Sequence, residues 1–122
     1  MHQVLFHILR QLSLGNRQKK LTLAEKVINY IQDNFSSDLS NEAIGKQFNY
    51  HPNYINRIIQ KHTGQSLHQY VLSCRVAKAL ELLQTSGLSV TEVADKVGFS
   101  SIKHFSQTFK SIYGYSPIHF KD

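Results

Sequence analysis

The chain has 122 residues, in which 14 Lys and Arg outnumber 8 Asp and Glu and give a formal net charge of +6 and a sequence pI of about 9.6. The length limits the fold to one domain or two very small ones, and the basic balance favours an anionic partner such as nucleic acid, although an ordinary soluble basic protein has the same charge. The single cysteine excludes an intramolecular disulfide framework, and the short apolar runs without a signal-peptide pattern predict a cytoplasmic protein with no membrane span.

Apolar residues recur at intervals of three and four along the chain, and this helical period predicts an all-α fold. Residues 1–20 are predicted to form a helix followed by a basic linker, with a helix stop at Gly15. We interpret this segment as the end of an upstream region that packs on a partner or on another domain. An interfacial membrane helix is the alternative, but residues 1–14 contain a single Arg, whereas such helices are rich in basic residues.

Residues 21–65 predict a first unit of three helices. Thr22 caps the first helix and Ser40 the second, because both hydroxyls can accept from free backbone amides of the following turn. Asn49 stands where a left-handed turn residue is needed, and Pro52 suits the start of the third helix, which runs to Gly64. The apolar positions of that third helix are Tyr54, Ile55, Ile58 and Ile59.

Residues 66–85 predict one long connecting helix. Its apolar seam comprises Leu67, Val71, Cys74, Ala77 or Val76, Leu80 and Leu83. Because Cys74 lies on this seam, a buried structural thiol is favoured over a nucleophile. Nineteen residues at 1.5 Å each give a rod of roughly 28 Å, which is close to the ~34 Å between successive major-groove faces of DNA.

Residues 86–122 predict a second unit. Ser89 and Glu92 form a capping-box pattern, and Gly98 supplies the turn. Either Ser100 or Ser101 caps the helix that follows. A short closing helix is predicted at the Ser-Pro pair near the C-terminus.

The two units repeat one pattern, because residues 39–64 align with residues 88–114 at an offset of 49 up to the turn and 50 after it. The aligned pairs are Gly45 with Ala94, Asn49 with Gly98, Tyr50 with Phe99, Ile55 with Phe105, Ile59 with Phe109 and Gly64 with Gly114. Each copy therefore has a small residue where two helices cross, a turn residue, and apolar anchors behind the second helix. These are the requirements of a helix-turn-helix, and two copies indicate DNA binding more strongly than one.

The second copy carries a family resemblance. Residues 90–100, followed by Phe105, Phe109, Lys110, Gly114 and Pro117, resemble the signature of the AraC/XylS family of bacterial transcription regulators. The resemblance runs from residue 22 to residue 122 and corresponds to the C-terminal DNA-binding domain of that family. It implies about seven helices, with two helix-turn-helix subdomains joined by a long central helix. The first copy departs from the family pattern at Gly45, Asn49 and Ile59, where Ala, Gly and Phe are usual.

The resemblance also implies which side chains face the DNA. Base contacts are expected from Asn53, Asn56 and Arg57 in the first unit and from Ile102, Lys103, Ser106 and Gln107 in the second. Their chemistry agrees, since Arg and Lys can donate to guanine, Asn and Gln can bond adenine, and Ile can contact a thymine methyl. Candidate phosphate contacts are Lys46, Lys61, Arg75, Lys96 and Lys110. For each residue taken alone, an ordinary solvated side chain is the competing interpretation.

The expected function is sequence-specific binding of double-stranded DNA by a transcription regulator of the activator type, with one helix of each unit in successive major grooves of an asymmetric site. RNA polymerase is an expected further partner, and a homodimer is expected through an upstream domain. The alternative is a helical protein-interaction module that contacts RNA polymerase or another partner without reading bases. The sequence shows no phosphate-cradling loop, carboxylate pair, catalytic triad or zinc-ligand spacing, so no enzymatic activity, metal or cofactor is predicted.

Overall fold

The computed structural model describes residues 20–122, and within them the chain forms six α-helices, one 3₁₀-helix and no strand. The elements are α1 (Leu23–Asp33), α2 (Asn41–Phe48), α3 (Pro52–Thr63), α4 (Leu67–Thr85), α5 (Val90–Lys96), α6 (Ile102–Tyr113) and a 3₁₀-helix at Pro117–Phe120. The all-α class and the seven helical elements implied by the resemblance are confirmed. The helix predicted near the N-terminus lies outside the described residues. No helix within residues 20–122 is long and apolar enough to cross a membrane.

Polar side chains set the start of each α-helix. The hydroxyls of Thr22, Ser40, Ser66, Ser89 and Ser101 each accept from the backbone N–H three residues later, at 3.1–3.2 Å. His51 caps α3 differently, because its ring Nδ1 accepts from the Asn53 N–H at 3.1 Å. The predicted capping box is confirmed, since the Ser89 N–H donates to the Glu92 carboxylate at 3.1 Å. Of the two serines considered for α6, Ser101 is the cap.

The turns of the two units share the same backbone hydrogen bonds. The N–H of Tyr50 donates to the carbonyl of Gly45 at 3.0 Å, and the N–H of Phe99 donates to the carbonyl of Ala94 at 2.9 Å. In each turn the preceding residue has a positive φ, 59° at Asn49 and 99° at Gly98. The sequence repeat is therefore a structural repeat at the same offset of 49, and Asn49 is confirmed as a left-handed turn residue.

Two hydrophobic cores hold the helices together. The first consists of Ala24, Val27, Ile31, Leu39, Ile44, Ile55, Ile59, Leu67 and Val71. The second consists of Val76, Ala79, Leu83, Val93, Ala94, Val97, Phe99, Phe105 and Phe109. Helix α4 contributes to both, the first from its N-terminal half and the second from its C-terminal half. The long helix therefore connects the two units through their cores.

Of the two residues left open in the apolar seam predicted for α4, Val76 is confirmed and Ala77 is wrong. Val76 is fully buried and Ala77 is exposed, because the apolar face of the helix turns from the first core to the second just after Val71. One straight stripe cannot serve two cores that lie on different sides of the helix. Cys74 is half-buried against the first core, and burial raises the pKa of its thiol. A thiol with a raised pKa is a poor nucleophile, in agreement with a structural role.

Candidate nucleic-acid interface

The second helix of each unit is anchored by one apolar face. Ile55 and Ile59 of α3 are fully buried, and so are Phe105 and Phe109 of α6. Residues three or four apart share a face of a helix, so burying these pairs turns the opposite face of each helix outward. Helices α3 and α6 thus present solvent faces whose residues are set by the buried pairs.

The exposed face of α3 includes two of the predicted base contacts and one unpredicted aromatic residue, Tyr54. Asn53 and Arg57 are exposed and lie four residues apart, so they share this face. Tyr54 is 43% exposed, and its ring stacks on Tyr50 with centroids 5.3 Å apart. The exposure of Tyr54 was not predicted, because Tyr54 was counted with the apolar positions of this helix. The available signal was that Tyr54 lies one position away from the spacing of the buried isoleucines.

The prediction of Asn56 as a base contact needs correction. Its side-chain Oδ1 accepts from the backbone N–H of Leu67 at 2.8 Å, and the residue is partly buried. That N–H belongs to the first turn of α4 and has no partner within the helix. Bidentate recognition of adenine needs both the oxygen and the nitrogen of the amide, and here the oxygen is occupied. Asn56 therefore joins α3 to α4 through its amide oxygen, which is not available for a bidentate contact with adenine.

The exposed face of α6 carries Ile102, Lys103 and Gln107, with Ser106 half-buried among them. Ile102 is 42% exposed at the first position of the helix, where a large apolar side chain contributes nothing to either core. His104 was not predicted, and it is exposed beside Lys103 with its ring edge-on to Phe99 at 5.4 Å. This face combines a cation, amide donors and acceptors, and an apolar contact.

Four of the predicted phosphate contacts are exposed lysines at helix C-termini. Each lies in the last turn of its helix, and the residues are Lys46, Lys61, Lys96 and Lys110. A positive charge interacts favourably with the C-terminal end of a helix dipole, so these positions also have a structural explanation. Their side chains are free to reach an anionic ligand, and their role as phosphate contacts stays a prediction.

The prediction of Arg75 as the fifth phosphate contact needs correction. Its Nη2 donates to the backbone carbonyls of Phe35 and Ser37, both at 3.0 Å. Burial lowers the pKa of this guanidinium, and the nearby Asp38 carboxylate acts in the opposite direction. Arg75 is a half-buried side chain that is bonded to the loop between α1 and α2.

Two acidic groups, Asp38 and Glu92, lie at the starts of helices. The backbone N–H of Ser40 donates to Asp38, and that of Ser89 donates to Glu92, so the pKa of each carboxyl is held below its ordinary value. Both groups are ionised at neutral pH and stabilise the N-termini of α2 and α5. Residues 20–122 contain no group of three or more His, Cys, Asp or Glu that could hold a metal ion.

Comparison with known proteins decides the family. Residues 44–122 match the family model described as a helix-turn-helix domain, and that segment includes both turns and both exposed faces. The chain belongs to the AraC/XylS family of transcription regulators. It contains the DNA-binding domain of the AraC/XylS family, as the sequence resemblance predicted. This is a family of regulators and not of enzymes, in agreement with the prediction of no catalytic activity.

Individual relatives match most of this chain, AraT and AdpA by structure and RhaS by sequence. The C-terminal domain of AraT, a response regulator from Geobacillus stearothermophilus, is 32% identical with a TM-score of 0.78, over 84% of this chain and 87% of that one. The DNA-binding domain of AdpA, a global transcriptional factor solved with a target DNA, is 26% identical with a TM-score of 0.75, over 80% and 87%. The transcriptional activator RhaS of Salmonella arizonae is 34% identical over 88 residues, which are 72% of this chain and 32% of RhaS. The chain spans less than half the length of the curated relatives it matches.

Proposed function

We propose that the chain binds double-stranded DNA sequence-specifically by inserting α3 and α6 into two successive major grooves. The observation that carries this proposal is the repeated turn geometry, which leaves an exposed face on the second helix of each unit, and the two units are joined by the 19-residue α4. At 1.5 Å per residue α4 is roughly 28 Å long, and successive major grooves on one side of DNA lie about 34 Å apart. The division into subdomains 21–65 and 86–122, joined by residues 66–85, belongs to the same proposal.

Each exposed side chain has a chemically suitable base contact. Arg57 and Lys103 carry the donors that guanine O6 and N7 accept, and Ile102 can contact a thymine methyl. The amides of Asn53 and Gln107 can bond adenine, and both are exposed. Ser106 is half-buried, and its hydroxyl stays among the proposed base contacts as a hydrogen-bond donor on a short side chain. Tyr54 is added to the proposed base contacts. Phosphate contacts are proposed from the four exposed lysines, without Arg75.

The role in the cell is proposed from the relatives. AdpA has been solved with a target DNA, and RhaS is described as a transcriptional activator. We propose by analogy a cytoplasmic activator that contacts RNA polymerase and dimerises through a region outside the matched segment. These assignments rest on relatives that are two to three times longer than the match, so they concern the whole protein more than this domain.

Selection from a pool of random duplexes tests DNA binding directly. The selected duplex should bind about 10³-fold or more tightly than a scrambled duplex at physiological salt, as is usual for specific regulators. A double variant with Arg57→Glu and Lys103→Glu should lose this preference. A matched control with Lys26→Glu and Lys78→Glu has the same net charge but leaves α3 and α6 intact, and it should keep the preference. Equal affinity for selected and scrambled duplexes would exclude the proposal.

A protein-interaction module remains a second candidate because of exposed apolar residues near the C-terminus. Ile112, Tyr115 and Ile118 are 47%, 64% and 60% exposed. Large exposed apolar residues can mark protein contacts. Binding of RNA polymerase that is abolished by Tyr115→Ala and Ile118→Ala, but unaffected by charge reversal at Arg57 and Lys103, would favour this candidate.

A further inference from the structure

Arg75 lies at a point where the first unit meets the second. Its guanidinium donates to the carbonyls of Phe35 and Ser37, which belong to the loop after α1 in the first unit. On the other side it contacts the turn of the second unit, where a Cβ added to Gly98 would lie 2.9 Å from Arg75 Cζ and Nε. The same added Cβ would overlap the carbonyl oxygen of Phe35. Backbone from both units thus closes around one side chain.

We propose that Arg75 and Gly98 form a brace that fixes the angle between the two helix-turn-helix units and thereby sets the half-site spacing that the protein accepts. In this role Arg75 is a positioning residue, and it makes no contact with DNA. The inference rests on the proposed binding of α3 and α6 in successive grooves. It adds a determinant of specificity that lies away from both exposed faces.

The architecture explains why such a brace is needed. Each core packs on a different half of α4, so without a further contact the relative orientation of the units depends on the rigidity of one helix. Helices of this length commonly bend. The contact around Arg75 lies near the middle of α4, where it ties the loop of one unit to the turn of the other across that helix.

The guanidinium of Arg75 is better suited to fixing the orientation of its partners than to raising the free energy of unfolding. Its Nε is buried without a hydrogen-bond partner in the described structure. A partly buried charge with an unpaired donor adds little net free energy of folding, whereas a planar guanidinium fixes the direction of the groups it bonds. Removing the side chain should therefore loosen the orientation of the units more than it destabilises them.

Spacing on DNA gives the measurable consequence. Each inserted base pair rotates the distal half-site by about 34° and moves it by about 3.4 Å along the helix axis. A braced protein cannot follow both changes, so its affinity should fall steeply when two base pairs are inserted between half-sites. A protein with a loosened brace should bind the altered sites with a smaller relative loss.

The test compares affinities for the selected duplex and for the same duplex with two inserted base pairs. The wild-type protein should lose about tenfold or more on insertion, since contacts of one half-site are lost. In Arg75→Met this ratio should fall at least threefold. Lys78→Met is the matched control, because it removes a cation one turn along α4 that bonds only Glu81 at 3.2 Å in the described structure, and its ratio should equal that of the wild type. A ratio for Arg75→Met within twofold of wild type overturns the proposal.

Gly98→Ala provides an independent variant with its own control. Gly114 also has a positive φ, 85°, but a Cβ there would meet nothing within 4 Å. Both substitutions strain a left-handed backbone, and only Gly98→Ala adds a clash with Phe35 and Arg75. Gly98→Ala should therefore reduce the loss of affinity caused by the two inserted base pairs, and Gly114→Ala should not. If Arg75→Met fails to fold, this pair decides the question by the same criterion.

Distances between spin labels on the free protein separate this inference from the proposed function. Labels at Gln60→Cys on α3 and Ser111→Cys on α6, with Cys74→Ser, report the relative position of the two helices. Arg75→Met should broaden the distance distribution, and Lys78→Met should leave it unchanged. If the wild-type protein shows no sequence preference, the proposed function fails. In that case a broadened distribution still supports the brace, and an unchanged one overturns it.

Discussion

Asn53 and Asn56 are the same residue type three positions apart on α3, yet they have different environments. Asn56 bonds the Leu67 N–H at 2.8 Å and is partly buried, whereas Asn53 is exposed. We expect Asn56→Ala to lower the free energy of unfolding by about 1–2 kcal/mol, because it leaves a helix N–H without a partner. Asn53→Ala should change it by less than about 0.5 kcal/mol. Urea denaturation measures both, and equal stabilities would contradict the assignment of Asn56.

The contribution of Glu92 to the stability of the fold depends on pH and is lost in acid. The Ser89 N–H bonds its carboxylate and holds its pKa below the ordinary value. A depressed carboxyl pKa stabilises the fold above the unfolded pKa of about 4.3, and this contribution is lost as the pH falls through the folded pKa. Glu92→Gln should thus have a lower melting temperature than the wild type at pH 7, and the difference should disappear as the pH falls through the folded pKa of Glu92. Thermal unfolding across pH tests this, and a gap that is constant with pH would contradict it.

At the scale of elements, Gly45 lies where α2 crosses α3, and the two helices are in close contact there. A Cβ at this position would lie 2.8 Å from the Tyr50 carbonyl oxygen and 3.1 Å from the Pro52 ring. Although Ala is favoured over Gly in a helix by about 1 kcal/mol, we expect Gly45→Ala to destabilise the protein by about 1–3 kcal/mol, because a backbone atom must move. In the other unit, Ala94→Gly should also destabilise, through lost packing and helix propensity. A Gly45→Ala variant that is more stable than the wild type in chemical denaturation would contradict this close contact between α2 and α3.

Features set by nearby residues could be predicted from the sequence. The caps at Ser40 and Ser89, the left-handed turn at Asn49, and the buried faces of α3 and α6 all depend on side chains within about four positions of one another. The apolar seam of α4 could not be predicted from the sequence in full, because it depends on how the two cores are arranged around the helix. That arrangement decides why Val76 is buried and Ala77 is exposed.

The candidate site follows the same division. The exposure of Arg57 and Lys103 follows from the buried residues on the same helices, so helical spacing was sufficient to predict it. The roles of Asn56 and Arg75 depend on partners 11 and 40 residues away in the chain. No local pattern indicates such a contact, and both residues therefore looked like free polar side chains.

At the scale of the whole molecule, the two exposed faces differ, and the bound site should be asymmetric. The α3 face offers Asn53, Tyr54 and Arg57, and the α6 face offers Ile102, Lys103 and Gln107. Because different side chains recognise different base edges, the two half-sites selected by one chain should differ in sequence. Inverting one half-site within the selected duplex should weaken binding about tenfold or more in a polarisation assay. Equal affinity for both orientations would contradict two distinct binding faces.

The central claim is that one chain reads two grooves, with α3 on one half-site and α6 on the other. The most direct measurement is the base preference at every position of the selected duplex for the wild type, Arg57→Ala and Lys103→Ala. We expect each variant to relax the preference at one position only, at a cost of about 1–3 kcal/mol, with the two positions one helical turn or about 10 base pairs apart. Relaxation at the same base pair in both variants, or at no position in either, would contradict the two-groove account.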